Sequence, residues 1–163
     1  DLGLDLIMRY EKQAAEHYGS KYIQHPAVSV LNRMLDEFKR PGSAKKAGFY
    51  EYNNDTRQLW TELPEHFPIT QSNYKTDELI ERFLFAQVIE AVWCMQEGVI
   101  NSIAAANLGS IYGWGFPAFK GGVIQYISDY GVDTFITKCN LYQEKYGQRF
   151  KAPKLLRKVV GDW

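Results

Sequence analysis

The stretch Ser102-Ile-Ala-Ala-Ala-Asn-Leu-Gly-Ser-Ile-Tyr-Gly-Trp-Gly-Phe-Pro-Ala-Phe-Lys-Gly-Gly122 decides the fold. Gly113, Gly115 and Ala118 match the G-x-G-x-x-G/A string of dinucleotide-binding loops. Such a loop needs a buried strand before it and a helix after it, so that a pyrophosphate meets the helix N-terminus. Here the lead-in from Ser102 to Tyr112 is rich in alanine and reads as a helix. Asp133, which stands at the distance of a ribose partner, belongs to a repeated element described below. The string is therefore expected to connect helices. Gly113 should end one helix, and Gly115 and Pro117 should set a tight turn. Trp114, Phe116 and Phe119 should insert rings between helices. Gly121-Gly122 should let the next helix approach closely.

Helical spacing continues on both sides of this loop. Thr76, followed by Asp77 and Glu78, reads as a helix start, a capping hydroxyl with acids in the first turn. Leu79, Phe83, Leu84, Val88, Ala91, Val92 and Met95 then keep a 3.6-residue rhythm to Gly98. Beyond the loop, Val123 to Tyr130 and Val132 to Tyr146 read as two more helices. Pro153 is expected to open a last one. Near the start, Leu4 to Tyr18 is helical in pattern and Gly19 stops it. Pro26 opens a helix carrying Val30, Leu31, Met34, Leu35 and Phe38. Between Ser43 and Asn73 the chain is irregular, and Gly48 to Tyr52 reads as a short extended piece. No strand pattern is convincing, so the expected class is all-α, an orthogonal helical bundle.

Composition sets the outer bounds. The chain has 163 residues, of which 45% are hydrophobic and 15% aromatic. That rules out disorder and supplies enough apolar surface for a core. Nineteen Lys and Arg balance nineteen Asp and Glu, so a general nucleic-acid binder, which needs a basic excess, is not expected. No apolar run reaches the roughly 20 residues of a membrane span. Cys94 and Cys139 lie far apart in apolar helical runs and read as two buried thiols, with a disulfide left open. His17, His25 and His66 show no metal-ligand spacing, so no metal site is expected. The chain opens on Asp1 with no signal peptide, which reads as processing or as a piece of something longer. Cytoplasmic or organelle-matrix residence is expected, and secretion is not.

The two ends resemble each other. Asp1-Leu-Gly3-Leu-Asp5 matches Asp129-Tyr-Gly131-Val-Asp133. In the same register Tyr18-Gly19 falls on Tyr146-Gly147 and Tyr22 on Phe150. After small gaps Pro26 matches Pro153, and Val30 to Leu35 match Leu155 to Val160. This reads as duplication of a small helical unit with an incomplete first copy. Residues 1–52 form the second half of a first repeat, 53–75 a linker, and 76–163 a complete second repeat. The apolar side of Leu4 to Tyr18 then lacks the partner that Val132 to Tyr146 retains, so it should lean on other surface.

The run from Glu90 to Gly131 resembles the C-terminal domain of 3-hydroxyacyl-CoA dehydrogenases, most closely that of the multifunctional proteins of fatty-acid β-oxidation. The residues that carry this are Glu90, Glu97, Gly98, Gly113, Gly115, Phe116, Pro117, Phe119, Gly121, Gly122 and Gly131. In the first half, Gly48, Phe49 and Tyr50 resemble the phrase that closes the family's first helical copy. The resemblance implies an NAD-dependent oxidoreductase whose Rossmann domain and catalytic His–Glu pair lie upstream of the helical copies. The family also places an Asn-Arg pair, opening the long helix of its first copy, beside the substrate. The second copy has Glu81-Arg82 there, and Ala106-Asn107 where the family often has Ala-Asp. Both departures fit a supporting copy. The resemblance thus implies no catalytic, cofactor-binding or metal residue in this chain, with NAD held by the parent enzyme. It implies as partners the upstream Rossmann domain, the acyl-CoA substrate, and a second copy or a thiolase-containing complex. The chain would supply the packing, dimer-mimicking part that supports the acyl-CoA cleft and be inactive alone. A stand-alone helical scaffold or dimerisation module is the alternative. Glu90 and Glu97, seven residues apart on one helix face, read as capping or ion-pairing groups, with Arg82 a candidate partner.

Overall fold

A computed structural model describes residues 3–53, 56–69 and 75–161. Asp1 and Leu2 of the repeated motif, and positions 54, 55 and 70–74 of the expected linker, lie outside the described residues. The chain forms two compact units, Asp1–Ser72 and Asn73–Trp163. It is mostly helical, with eight α-helices and one two-stranded sheet among the described residues.

In the first unit, α1 (Leu4–Tyr18) ends at Gly19, whose φ of 52° suits a residue without Cβ. A 3-10 turn, Gly19–Lys21, leads toward α2 (Ala27–Asn32), which continues as a wider π-type turn over Arg33–Glu37. Val28, Leu31 and Met34 are buried from this segment. The strands β1 (Tyr50–Asn53) and β2 (Thr56–Leu59) then pair antiparallel, Tyr50 opposite Leu59 and Asn53 opposite Thr56. The sequence carries no convincing strand pattern, yet this one small hairpin forms within a fold that is otherwise helical, as expected. β1 is the extended piece, whereas β2 and the short α3 (Leu63–His66) fall in the segment read as a linker. Every residue of β2 is exposed, so it has no alternating apolar pattern to read. Trp60, immediately after it, is buried.

Arg40 explains the Gly48-Phe49-Tyr50 phrase. Its Nε donates to the Gly48 carbonyl at 2.7 Å, and its guanidinium lies 4.4 Å from the Trp60 ring centre. The backbone of Phe49 accepts from the Trp60 N–H at 3.0 Å. A Cβ on Gly48 would stand 3.0 Å from the Gly42 Cα, so the loop closes tightly there.

The second unit is built on α4 (Thr76–Gln96), which buries Leu84, Phe85, Val88, Ile89, Ala91 and Val92. Thr76 is the first helical residue and makes no side-chain cap, contrary to its reading as a capping hydroxyl. Ser102 does cap, its Oγ accepting from the Ala105 N–H at 3.1 Å and opening α5 (Ile103–Trp114). α6 (Val123–Tyr130), α7 (Val132–Tyr146) and α8 (Leu156–Gly161) complete the unit. Between α7 and α8 lies a 3-10 turn, Gln148–Phe150. Both units therefore contain a 15-residue helix, a glycine, a 3-10 turn and a short helix in one order.

Gly113 does not end α5, as its place in the string suggested. It continues the helix, which runs through Trp114, and Gly115 turns left-handed at φ 75° to close it. Two glycines two residues apart leave that choice open in a sequence; the chain stops where a positive φ is needed. Gly122, at φ 102°, lies so close to α5 that an added Cβ would sit 2.5 Å from the Asn107 Cα. Gly122→Ala is therefore expected to destabilise this unit by more than about 2 kcal/mol, from backbone strain and overpacking together. Gly113→Ala meets open space and should stabilise by about 0.5–1 kcal/mol. Urea unfolding of the two variants checks the contrast.

Candidate functional site

The glycine loop is held from below by α5. The Asn107 side-chain oxygen accepts from the N–H groups of Ile124 at 2.8 Å and Gln125 at 3.2 Å. The Ser110 hydroxyl donates to the Asn107 carbonyl at 2.7 Å and accepts from the Val123 N–H at 3.3 Å. Together they satisfy three of the N–H groups that open α6 and have no intrahelical partner. The Gly115 and Phe116 N–H groups both reach the Ser110 carbonyl. Ser110 thus closes one helix and opens the next, and it is the fully buried polar residue of this unit's core. From the sequence Asn107 reads only as a departure from Asp, and Ser110 carries no signal of its role. An Asp would accept the same two bonds, so that departure changes little in the cap.

Above this base the loop and α4 enclose a groove of about 630 Å³, walled by Ile80, Phe83, Leu84, Trp114, Pro117 and Phe119. Phe116 points inward and is buried. The other two rings expected between helices do not go there. Phe119 is 86% exposed and Trp114 51%, while Phe83 on α4 is 70% exposed. The Trp114 Nε1–H donates to the Gln87 side chain at 2.8 Å, which fixes its ring along the groove.

Glu81 lines the same groove and is already engaged. It accepts from the Tyr130 hydroxyl at 2.6 Å and from the Tyr142 hydroxyl, and pairs with the Lys138 ammonium at 3.0 Å. One turn earlier, Glu78 accepts from the Tyr146 hydroxyl and pairs with Lys145 at 3.0 Å. These acids tie α4 to α6 and α7. Burial alone would raise the Glu81 carboxyl, but the bonds from Tyr130, Tyr142 and Lys138 outweigh it and hold it below its usual value. The same acid and burial push the Tyr130 and Tyr142 phenols up. Burial pushes Tyr126 up to about 12.

The remaining motif residues sit apart from the groove. Glu90 and Glu97 are exposed, and neither forms an ion pair among the described residues. Arg82 lies over the Tyr146 ring at 3.7 Å instead of meeting them. Gly98, Gly121 and Gly131 take positive φ at helix ends and turns. Cys139 is buried and its thiol is pushed up to about 12 by that burial, whereas Cys94 is only half-buried; both are free. Among the described residues no cluster of three His, Cys, Asp or Glu could hold a metal ion, and no helix is long and apolar enough to cross a membrane. A helix, not a strand, precedes the glycine loop, and a 3-10 turn, Ala118–Lys120, follows it. This is not the strand–turn–helix that cradles a pyrophosphate. The groove is apolar and its one central acid is saturated with donors, so it suits packing against apolar surface.

Glu81→Gln should cost about 1–2 kcal/mol at neutral pH, since charge-assisted bonds become neutral ones. The native carboxyl titrates below its unfolded value. Its stabilisation is therefore full above about pH 4.3 and is lost as pH falls through the lower, folded value. Urea midpoints of wild type and variant should accordingly converge on acidification from about pH 7 to about pH 3.

No protein-family model matches the chain. Curated proteins named "Fatty acid oxidation complex subunit alpha" do. The one from Colwellia psychrerythraea is 33% identical over 86% of this chain and 20% of its own length. The one from Vibrio vulnificus is 31% identical over 92% and 21%, and that from Idiomarina loihiensis 26% over 98% and 22%. The chain thus spans about one fifth of the length of the curated relatives it matches. The resemblance carried by the glycine loop and its flanks agrees with this likeness: the chain is homologous, over nearly all of its own length, to a segment of the alpha subunits of fatty acid oxidation complexes.

Proposed function

We propose that this chain is the C-terminal helical part of an NAD-dependent 3-hydroxyacyl-CoA dehydrogenase of fatty-acid β-oxidation, and that it acts by support. The second unit packs against another helical body of the parent, as a partner subunit would, and stiffens the wall of the acyl-CoA cleft. NAD and the proton-transfer groups belong to an upstream Rossmann domain, and thiolase is a partner of the assembled complex. The reaction supported is the reversible oxidation of a 3-hydroxyacyl-CoA to the 3-ketoacyl-CoA.

The observation that carries this reading is the outward apolar wall of Ile80, Phe83, Trp114 and Phe119. It stands on a unit whose own core is already filled by Phe85, Phe116 and Phe135. Contiguous exposed rings of this kind mark an interaction surface. Glu81 supports the same reading. In the position that resembles the family's substrate-side Asn, its oxygens are taken up by Tyr130, Tyr142 and Lys138. Support of this kind works through preorganisation, because a rigid wall keeps hydride donor and carbonyl aligned. The same wall also favours a second reading, a scaffold or dimerisation module with no part in catalysis.

The chain alone is expected to give no turnover of acetoacetyl-CoA with NADH. Turnover that is abolished by changing one of its own residues would overturn the proposal. In the full-length parent, Phe83→Asp with Phe119→Asp should lower the dehydrogenase kcat/KM by about tenfold or more, since small misplacements of a site are costly. An unchanged kcat/KM in a protein that remains folded would favour the plain scaffold.

A further inference from the structure

Three tyrosine rings, Tyr126, Tyr130 and Tyr142, pack edge-on to Phe85. Two of their hydroxyls donate to Glu81, whose carboxylate also holds the Lys138 ammonium. That leaves Glu81 no room for the third. Tyr126 is only 6% exposed, and among the described residues its hydroxyl has no hydrogen-bond partner. A buried hydroxyl without a partner is costly and calls for an explanation. The Arg82 Nε is the one unpaired side-chain polar atom among the described residues that is wholly enclosed. The Tyr126 oxygen, unpaired as well, therefore reaches the groove that this residue lines.

A second donor stands beside it. The Lys120 ammonium lies 5.5 Å from the Tyr126 ring centre and 5.6 Å from that of Phe119. Lys120 lines the same groove, is half-buried, and forms no ion pair among the described residues. Burial and the nearby Glu81 charge keep the Tyr126 phenol protonated at neutral pH, so it too offers a hydrogen. The other polar groups of the groove are occupied or open to water. Gln87 accepts from Trp114 and donates to the Phe83 carbonyl. Asp77 is exposed in the first turn of α4, where the helix end offsets its charge. What is left is two converging donors, one of them charged, in an apolar trough of about 630 Å³. That size is usual for a small-molecule site.

We propose that the groove binds a small amphiphilic carboxylate, whose carboxylate accepts from the Tyr126 hydroxyl and pairs with the Lys120 ammonium. Its apolar chain or ring lies against Phe83, Trp114 and Phe119. Charge-assisted bonds beside apolar walls favour an anion over a neutral head of the same size. A cationic head would meet Lys120 as a like charge. The site uses only residues of the second unit and does not depend on the packing role proposed above.

The probes are phenylbutyrate, phenylbutanol and phenylbutylamine, one apolar body with three heads. Each is titrated into the whole 163-residue chain and followed by amide chemical shifts. Phenylbutyrate should saturate and shift the amides of Lys120 and Tyr126, and the other two should bind about tenfold more weakly or worse. Lys120→Gln and Tyr126→Phe should each weaken the carboxylate by about three- to tenfold and leave the alcohol unchanged. Tyr126→Phe removes a hydroxyl without a partner, so its urea midpoint should equal or exceed that of wild type, whereas Tyr130→Phe should fall below it. Absence of saturation, equal binding of the three probes, or carboxylate binding indifferent to both substitutions would overturn the proposal. So would a midpoint for Tyr126→Phe as low as that for Tyr130→Phe, because the hydroxyl would then already have a partner. None of these results touches the packing role, which needs no ligand.

Discussion

One ring, Phe85, sets the rotation of α4 and through it the character of the second unit. It is fully buried, lies flat against Phe135 at 4.1 Å, and takes the ring edges of Tyr130 at 5.2 Å and Tyr142 at 5.5 Å. Aromatic rings in these geometries contribute beyond their buried area, by about 0.5–1.5 kcal/mol per pair. With Phe85 inward, the helix leaves little choice elsewhere. Phe83 lies about 200° around the axis and must face outward. Glu81 lies one turn before Phe85 and must face the same partly buried side. An acid in that place would be costly without donors. Tyr130, Tyr142 and Lys138 supply them, and the phenols that frame the Phe85 ring are the same ones that bind the acid. The apolar outer wall and the saturated inner carboxylate are two consequences of one packing decision.

The second constraint is where α5 gives way to α6. A helix of eight residues such as α6 is marginal by itself, because so many of its backbone groups lie in its ends. Asn107 and Ser110 reach across from α5 and take up its first N–H groups. They can do so only because Gly122 lets the two backbones meet. The glycine loop is therefore a spacer whose length is fixed at both ends by the same four residues of α5. That explains how it can present Trp114 and Phe119 to solvent without itself being loose.

Apart from the short α3, the helices of both units were legible because their apolar positions repeat at helical spacing and because glycine or proline marks most of their ends. Gly19, Gly131 and Gly147 each stand where a helix stops or starts. The hairpin was less legible. β1 shows as Tyr50 and Tyr52, but β2 consists of exposed residues held by backbone pairing and by polar contacts such as Gln58 to Glu51 and Arg57 over the Tyr50 ring, which leave no apolar alternation to read. Trp60 carried a signal, a lone large aromatic in a polar segment, that argues for a local core. In the candidate site, the glycines and Phe116 could be read as turn and core. The outward direction of Trp114 and Phe119 could not, since a ring next to a glycine turn can fall either way. The tyrosine donors of Glu81 lie far from it in sequence, and no spacing rule joins them.

The Glu81 network also bears on what the groove can do. For this carboxylate to act on a bound molecule, it would have to release the Tyr130 and Tyr142 hydroxyls. Each hydroxyl left without an acceptor would cost about 1–3 kcal/mol. While those bonds hold, they and Lys138 keep the acid's proton affinity below its usual value. Its weak basicity and occupied lone pairs both work against proton transfer. What remains on offer is shape: an apolar trough with fixed walls, whose rings are aligned by the Trp114–Gln87 bond on one side and by the helix itself on the other. Such a surface gains most by burying a complementary apolar face.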